Sequence, residues 1–225
     1  MLTRRTFLTT LAGSAALAGC QSLAIDDPFA FGFDNPFAFR PVKQLGTPES
    51  ERFAVPRVDL SRIDRRYHRQ YVDYDGPYRP GTIVVDTGKR FLYLVGSRDN
   101  TIRYCIGVGR QGLAWSGRAT VRRKAAWPRW TPTRDMIARD PQLQRWAGGM
   151  EPGPGNPLGA RALYLYEGGV DTLYRLHGTN EPWSIGHAVS SGCVRLLNID
   201  IIDLYERVPI GTEVVVLQNR PLLFF

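Results

Sequence analysis

Apolar and polar positions along this chain fall into short runs separated by turn residues, without the long three-to-four spacing of a helical bundle. Thr82-Ile83-Val84-Val85-Asp86 reads as a buried strand, Thr87-Gly88-Lys89 as a turn, and Arg90–Val95 as its antiparallel partner. Thr101–Val108 is a third strand. Strand patterns resume at Ala162–Tyr166 and Thr172–Leu176, and Thr212–Leu217 is the last. Helix signals are few. Thr131 can cap a short helix with Pro132 in its first position, and Asp140-Pro141 repeats the arrangement. Gly148-Gly149 ends that region, and Gly153–Gly159 forms a rigid loop. Asn198 can cap a helix over Ile199–Arg207, stopped by Pro209. Its apolar residues Ile201, Ile202, Leu204, Tyr205 and Val208 fall on one side. The expected fold is mostly β with a few short helices. A closed or sandwiched sheet is favoured over a parallel α/β fold, because strands and helices do not alternate regularly.

Ahead of these elements the pattern changes. Residues 1–19 carry Arg4-Arg5, then an apolar run from Phe7 to Ala18 that is too short for a span of ~20 residues. This is a secretory signal. Arg4-Arg5 with Phe7-Leu8 resembles a twin-arginine signal, and also fits an ordinary positive start. Leu17-Ala18-Gly19-Cys20 resembles a bacterial lipobox, in which the Cys20 thiol receives a lipid anchor. An exported lipoprotein on the periplasmic face of a membrane is the expectation. Gln21 after the cysteine favours the outer over the inner membrane. Residues 20–66 read as a lipidated N-terminus and flexible tether, with Pro28-Phe29-Ala30-Phe31 recurring as Pro36-Phe37-Ala38-Phe39. Residues 67–80 lead into the domain, 81–217 form it, and 218–225 are a tail.

Charge adds little. The net charge is +8, and no basic run interleaved with aromatics marks a nucleic-acid surface, so no nucleic-acid partner is expected. The three cysteines, Cys20, Cys105 and Cys193, are an odd number and do not make a disulfide framework. Cys105 sits in a strand pattern and reads as a buried apolar thiol. His68 reads as solvated and His187 as a surface residue. Together with His177 they lack the compact spacing of a zinc site, and neither metal nor cofactor is expected. For Trp115, Trp127, Trp130 and Trp146, core packing is favoured for at least two over a sugar-binding role. Tyr164 and Trp183, which flank the segment described next, are the better groove candidates.

That segment runs His177-Gly178-Thr179-Asn180-Glu181-Pro182-Trp183-Ser184-Ile185-Gly186-His187-Ala188-Val189-Ser190-Ser191-Gly192-Cys193-Val194-Arg195. A thiol is nucleophilic as thiolate, and a neighbouring imidazole can take its proton. His177 ends a strand pattern, and Cys193 follows in a loop just ahead of a helix, so the chain can fold back and join them. Gly192 lets the backbone turn tightly before the nucleophile. Its N–H and that of Cys193 are candidate oxyanion donors, with the hydroxyls of Ser190 and Ser191 beside them. Arg195 can meet a substrate carboxylate or brace the loop. A papain-like protease would want these residues in the reverse order.

The whole string resembles the signature of the L,D-transpeptidase catalytic domain (YkuD-type): His-Gly, a spacer, then Ser-His-Gly-Cys, a hydrophobic residue and Arg or Asn. The sequence keeps His177, Gly178, Ser190, Gly192, Cys193, Val194 and Arg195, and departs at Ser191, where many members carry a second His. Gly107-Val108-Gly109-Arg110, Asn156–Ala160 and Gly211-Thr212-Glu213-Val214 also look like family landmarks. The resemblance implies a mixed-sheet, β-sandwich-like fold with its cysteine in a groove. It implies Cys193 as nucleophile, His177 as proton donor and acceptor, and Gly178 as an orienting residue. The implied substrate is a peptidoglycan stem tetrapeptide. The acyl group passes to an amine, giving a 3→3 cross-link or lipoprotein attachment. An L,D-carboxypeptidase or cross-link-cutting hydrolase on the same site stays open, as does a non-catalytic wall-binding lipoprotein.

Overall fold

The computed structural model describes residues 40–45, 51–109, 115–190 and 193–217. Its strands are β1 (Arg40–Pro41), β2 (Gln70–Val72), β3 (Ile83–Asp86), β4 (Phe91–Leu94), β5 (Thr101–Cys105), β6 (Val108–Gly109), β7 (Gly117–Ala126), β8 (Arg161–Glu167), β9 (Val170–His177), β10 (Ala188–Ser190), β11 (Val194–Arg195) and β12 (Glu213–Leu217). The α-helices are α1 (Arg134–Arg139) and α2 (Asn198–Arg207). Ten strands form one mixed sheet in the order β1-β2-β5-β4-β3-β12-β7-β8-β9-β11. β12 runs parallel to β3 and β11 parallel to β9, while the other neighbours in this sheet are antiparallel. The fold is mostly β with few and short helices, as the patterning implies.

The hairpin β3–β4 falls where Thr87-Gly88-Lys89 marks a turn. The expected strand over Thr101–Val108 is broken in two. After β5 the chain crosses to the far side of the sheet, where Gly107 exchanges both backbone hydrogen bonds with Arg195, at 2.9 and 2.8 Å. β6 then pairs with β10 as a separate parallel ribbon. This bridge joins the β5 end of the sheet to the β11 end. A side chain at Gly107 would not fit, because a Cβ there would lie 2.5 Å from the Ser184 carbonyl. The closure gathers Ile83, Leu92, Ile102, Tyr104, Leu163, Leu176, Val194, Ile201 and Leu204 into one buried core.

β7 was not foreseen. Its Arg122, Arg123 and Lys124 interrupt any apolar run, yet Val121 is fully buried and Lys124 is satisfied within the fold. The Lys124 ammonium donates to the carbonyls of Tyr205 and Val208 at 2.5 and 2.7 Å, which caps the negative end of α2. α1 starts later than its Thr131-Pro132 signal, because Thr133 is the residue whose hydroxyl accepts from the Met136 N–H. Asp140 caps the following 3-10 turn as expected. Asn198 does not cap α2; Leu197 holds that position, and the Asn198 amide is used elsewhere.

Residues 40–45 and 51–66 differ from the flexible tether expected of them. Glu51 lies against Arg161 in a nearly enclosed ion pair and accepts from the Trp127 indole at 2.7 Å. Phe53 packs edge-on against Trp127, with centroids 5.0 Å apart. The Leu45 N–H donates to buried Asp203 at 2.6 Å, and Arg207 ties Asp203 to the Lys43 carbonyl. These segments supply partners that buried charges of the domain require. His68, expected to be solvated, is half-buried, with Nε2 2.9 and 2.8 Å from the carbonyls of Leu60 and Ile63. The signal, Cys20, the Pro-Phe-Ala-Phe repeats and the 218–225 tail lie outside the described residues.

Candidate active site

β9 and β11 lie side by side with Val194 opposite Leu176 and Arg195 opposite His177. Side chains alternate along a strand. Leu176 and Val194 therefore enter the core, while His177 and Arg195 face the other way, beside Ala162 of β8. Cys193 enters just before β11, next to Arg175. The sixteen-residue excursion that separates His177 from Cys193 in sequence thus closes to two adjacent strands in space.

His177 is 5% exposed. Its Nδ1 lies 2.6 Å from the Gly178 carbonyl. A carbonyl only accepts, so Nδ1 carries the proton and Nε2 keeps its lone pair. Burial presses the imidazole down to about 3; the Arg195 charge adds to this, against the Gly178 hydrogen bond. At neutral pH the ring is uncharged. Gly178 is held in turn by Asn198. The Asn198 Oδ1 accepts from the N–H groups of Ala160 (3.0 Å) and Thr179 (3.2 Å), and its Nδ2 donates to the Thr179 carbonyl at 2.9 Å. One buried amide therefore ties the end of β9 to the loop before β8. Gly178 is glycine because a Cβ there would fall 2.2 Å from that Oδ1.

The Cys193 thiol is half-buried and donates to the Leu173 carbonyl at 3.8 Å, while the Arg175 N–H donates to the sulfur. Burial pushes the thiol up, opposed by that N–H and by the charges of Arg175 and Arg195. The carbonyl is presented by an irregularity in β9. Between the pairs Tyr164–Arg175 and Tyr166–Asp171, β9 carries two residues more than β8. Leu173 takes φ +60 there, a left-handed conformation that is uncommon for a side-chain-bearing residue. Three fasteners hold it. Asp171 accepts from the Leu173 N–H at 2.8 Å, the Thr172 hydroxyl donates to the Leu165 carbonyl at 2.7 Å, and Asp171 grips Arg175 through two bonds of 2.6 and 2.7 Å. Trp115 packs on Tyr174 in the same bulge, with centroids 5.1 Å apart.

The other sequence candidates are distributed unevenly. Arg195 is braced by Glu181 at 2.6 Å. Tyr164 stands beside Arg175, but it is 8% exposed and its ring is covered by the guanidinium groups of Arg123 and Arg175, at 4.4 and 4.5 Å. No open face is left for a sugar, so its place as a groove residue does not fit. Trp183 is exposed, on a turn that lines a separate cavity of about 940 Å³ with Leu60, Tyr67, Cys105 and Ile185, a lining that includes neither Cys193 nor His177. Cys105 is a buried free thiol, pushed up to about 11 by burial. His187 is exposed. Ser190 pairs with Gly109 through the backbone; Ser191 and Gly192 lie outside the described residues. The sequence reading missed Asn198 as a brace, the Leu173 bulge and Glu181. Only the Asn ahead of a helix gave a signal, and it pointed to a cap.

Comparison with known proteins bears on this arrangement. The family model described as the L,D-transpeptidase catalytic domain (YkuD) matches residues 80–216. The protein named probable L,D-transpeptidase YbiS of Escherichia coli K12 is 42% identical over 142 residues, 59% of this chain and 43% of that protein. A protein of Fuscovulum blasticum, named a putative L,D-transpeptidase in the ATP synthase subunits region, is 31% identical over 172 residues, 76% of this chain and 87% of that one. The chain thus spans less than half the length of YbiS. Among solved structures, one from Brucella melitensis described as a probable carnitine operon oxidoreductase is 53% identical. It covers 71% of this chain and 99% of its own, with a TM-score of 0.49.

Proposed function

We propose that this chain, which belongs to the family of L,D-transpeptidase catalytic domains, is an enzyme of that class and acts on peptidoglycan stem tetrapeptides through a thioester on Cys193. The observation that carries this reading is the parallel pairing of β9 with β11, beside a His177 whose tautomer is fixed by Gly178.

In the proposed reaction the Cys193 sulfur attacks the carbonyl carbon of the third stem residue, meso-diaminopimelate. The thiol proton passes to Nε2 of His177. The bond to the nitrogen of the terminal D-alanine breaks, and that nitrogen takes the proton from the imidazolium. An acceptor amine then attacks the thioester, gives a proton to His177, and the sulfur leaves and is reprotonated. Thiol and imidazole are both neutral at rest, since burial raises one and lowers the other. The proton therefore moves as the sulfur–carbon bond forms. The same burial makes the transient imidazolium a strong acid, which suits delivery to a leaving amine. The Cys193 N–H, with Gly192 before it, is the proposed donor to the oxyanion. Export and lipidation at Cys20 are part of this proposal, carried by Leu17-Ala18-Gly19-Cys20.

The test is mass spectrometry of products from disaccharide-tetrapeptide, with Cys193→Ala as control. A Cys193-dependent dimer lacking one D-alanine is expected for 3→3 transfer. Tripeptide without dimer would assign the thioester to water and make the enzyme an L,D-carboxypeptidase. Turnover that survives in Cys193→Ala would remove the cysteine from the mechanism.

A further inference from the structure

Arg123 is an exposed residue of β7 that the mechanism above does not use. It pairs across the sheet with Tyr164, which pairs with Arg175, and the next strand over begins beside Cys193. The three side chains therefore share the sheet face that carries His177. Arg123 and Arg175 both rest on the Tyr164 ring, at 4.4 and 4.5 Å from its centroid. Tyr164 is buried, so the ring is a fixed support for both cations.

The two arginines are not equivalent. The charge of Arg175 is taken up by Asp171 through two hydrogen bonds. Arg123 makes no ion pair among the described residues, although its field reaches Asp171 and helps to hold that carboxyl low against the effect of burial. The cluster of Arg123, Arg175 and Asp171 thus keeps one unit of positive charge in excess, on a guanidinium whose fork matches a carboxylate.

Its distance from the nucleophile selects the ligand group. The Tyr164 ring that supports Arg123 lies two strands from Cys193, which is roughly 10 Å at the usual spacing of neighbouring strands. In a meso-diaminopimelate residue six bonds separate the attacked carbonyl carbon from the distal carboxylate carbon. That is about 7–8 Å when extended, and a hydrogen bond adds about 3 Å. We propose that Arg123, braced on Tyr164, binds the distal carboxylate of the donor's third residue and so selects diaminopimelate over residues that lack this group. The inference rests on the Cys193 acyl-enzyme reading and specifies its substrate.

The experiment measures D-alanine release by the full chain from two tetrapeptide donors, one with free meso-diaminopimelate and one with its distal carboxyl amidated. The wild type is expected to favour the free acid about tenfold in kcat/KM, through KM, as a contact made equally in ground and transition states requires. Arg123→Gln should lose that preference by weakening the free-acid donor alone, and its Cys193 should be alkylated by iodoacetamide at the wild-type rate. A preference that persists in Arg123→Gln overturns the inference, as does an equal loss on both donors, and in either case the acyl-enzyme reading stands. Absence of D-alanine release from wild type with either donor overturns that reading and this inference with it.

Discussion

Gly178→Ala is the sharpest probe of how the structure holds His177. The added Cβ would lie 2.2 Å from the Asn198 Oδ1, 3.0 Å from the Ala160 nitrogen and 3.2 Å from the Gly159 Cα. The nearest of these must retreat by about 1 Å to reach ordinary contact. Asn198 cannot swing aside freely, because it is 8% exposed and its amide makes three hydrogen bonds to Ala160 and Thr179. Overpacking of this kind costs about 1–3 kcal/mol. If Asn198 yields, a buried N–H loses its acceptor, at about 1–3 kcal/mol more. We therefore expect a loss of roughly 2–6 kcal/mol, read as a Tm lowered by about 5–20 °C. The same shift moves the carbonyl that fixes the His177 tautomer, and a displacement of about 1 Å at a catalytic group costs on the order of a hundredfold in rate. The assays are urea unfolding and D-alanine release from a tetrapeptide donor. Asn198→Ala supplies the internal check: it removes the clashing oxygen, so it should cost less in the Gly178→Ala background than in wild type, by about 1–2 kcal/mol. Gly178→Ala with wild-type stability and activity, or strict additivity with Asn198→Ala, would refute the close approach.

Acid should destabilise the fold through His177. Its folded pKa of about 3 lies below the ordinary 6.5, so the unfolded chain takes up a proton that the folded chain refuses. This contribution is complete above the ordinary value and is lost as pH falls from there toward 3, at about 1.4 kcal/mol per unit. Asp200, raised to about 6 by burial, works in the opposite sense, so the comparison is made between variants at each pH. Between pH 7 and 5, His177→Gln should lose about 2 kcal/mol less than wild type in urea unfolding, and equal losses would contradict the buried neutral ring. Glu51→Gln should destabilise by about 3–5 kcal/mol, because it leaves the enclosed Arg161 guanidinium without its countercharge. An unchanged unfolding midpoint would mean that residues 51–66 do not brace the domain.

The local signals that were legible in the sequence share a physical origin: they depend on neighbours along the chain. The β3–β4 hairpin follows from an apolar run, a turn and a second apolar run. The cap at Asp140 and the helix ahead of Pro209 are equally local. His177 and Cys193 stood out because thiol, imidazole and glycine are chemically distinctive in one short string. Where propensity and burial disagreed, local reading failed. The arginines of β7 hide the longest strand of the sheet, since its stability comes from β8 and β12 on either side. Residues 40–45 and 51–66 look like a tether because the charges they satisfy, Asp203 and Arg161, stand more than a hundred positions away.

Composition and spacing by themselves thus determined a mostly β domain and a cysteine with a histidine sixteen residues before it. Tertiary structure decided the rest. It set the register that places Arg195 opposite His177, the bulge that brings the Leu173 carbonyl to the thiol, and the Asn198 amide that fixes the Gly178 carbonyl. Each is a contact between segments far apart in sequence, and its energy depends on burial that exists only once the sheet has closed through Gly107 and Arg195. A chain can carry its reactive groups in a local string. The dielectric, tautomer and orientation of those groups are properties of the packed interior.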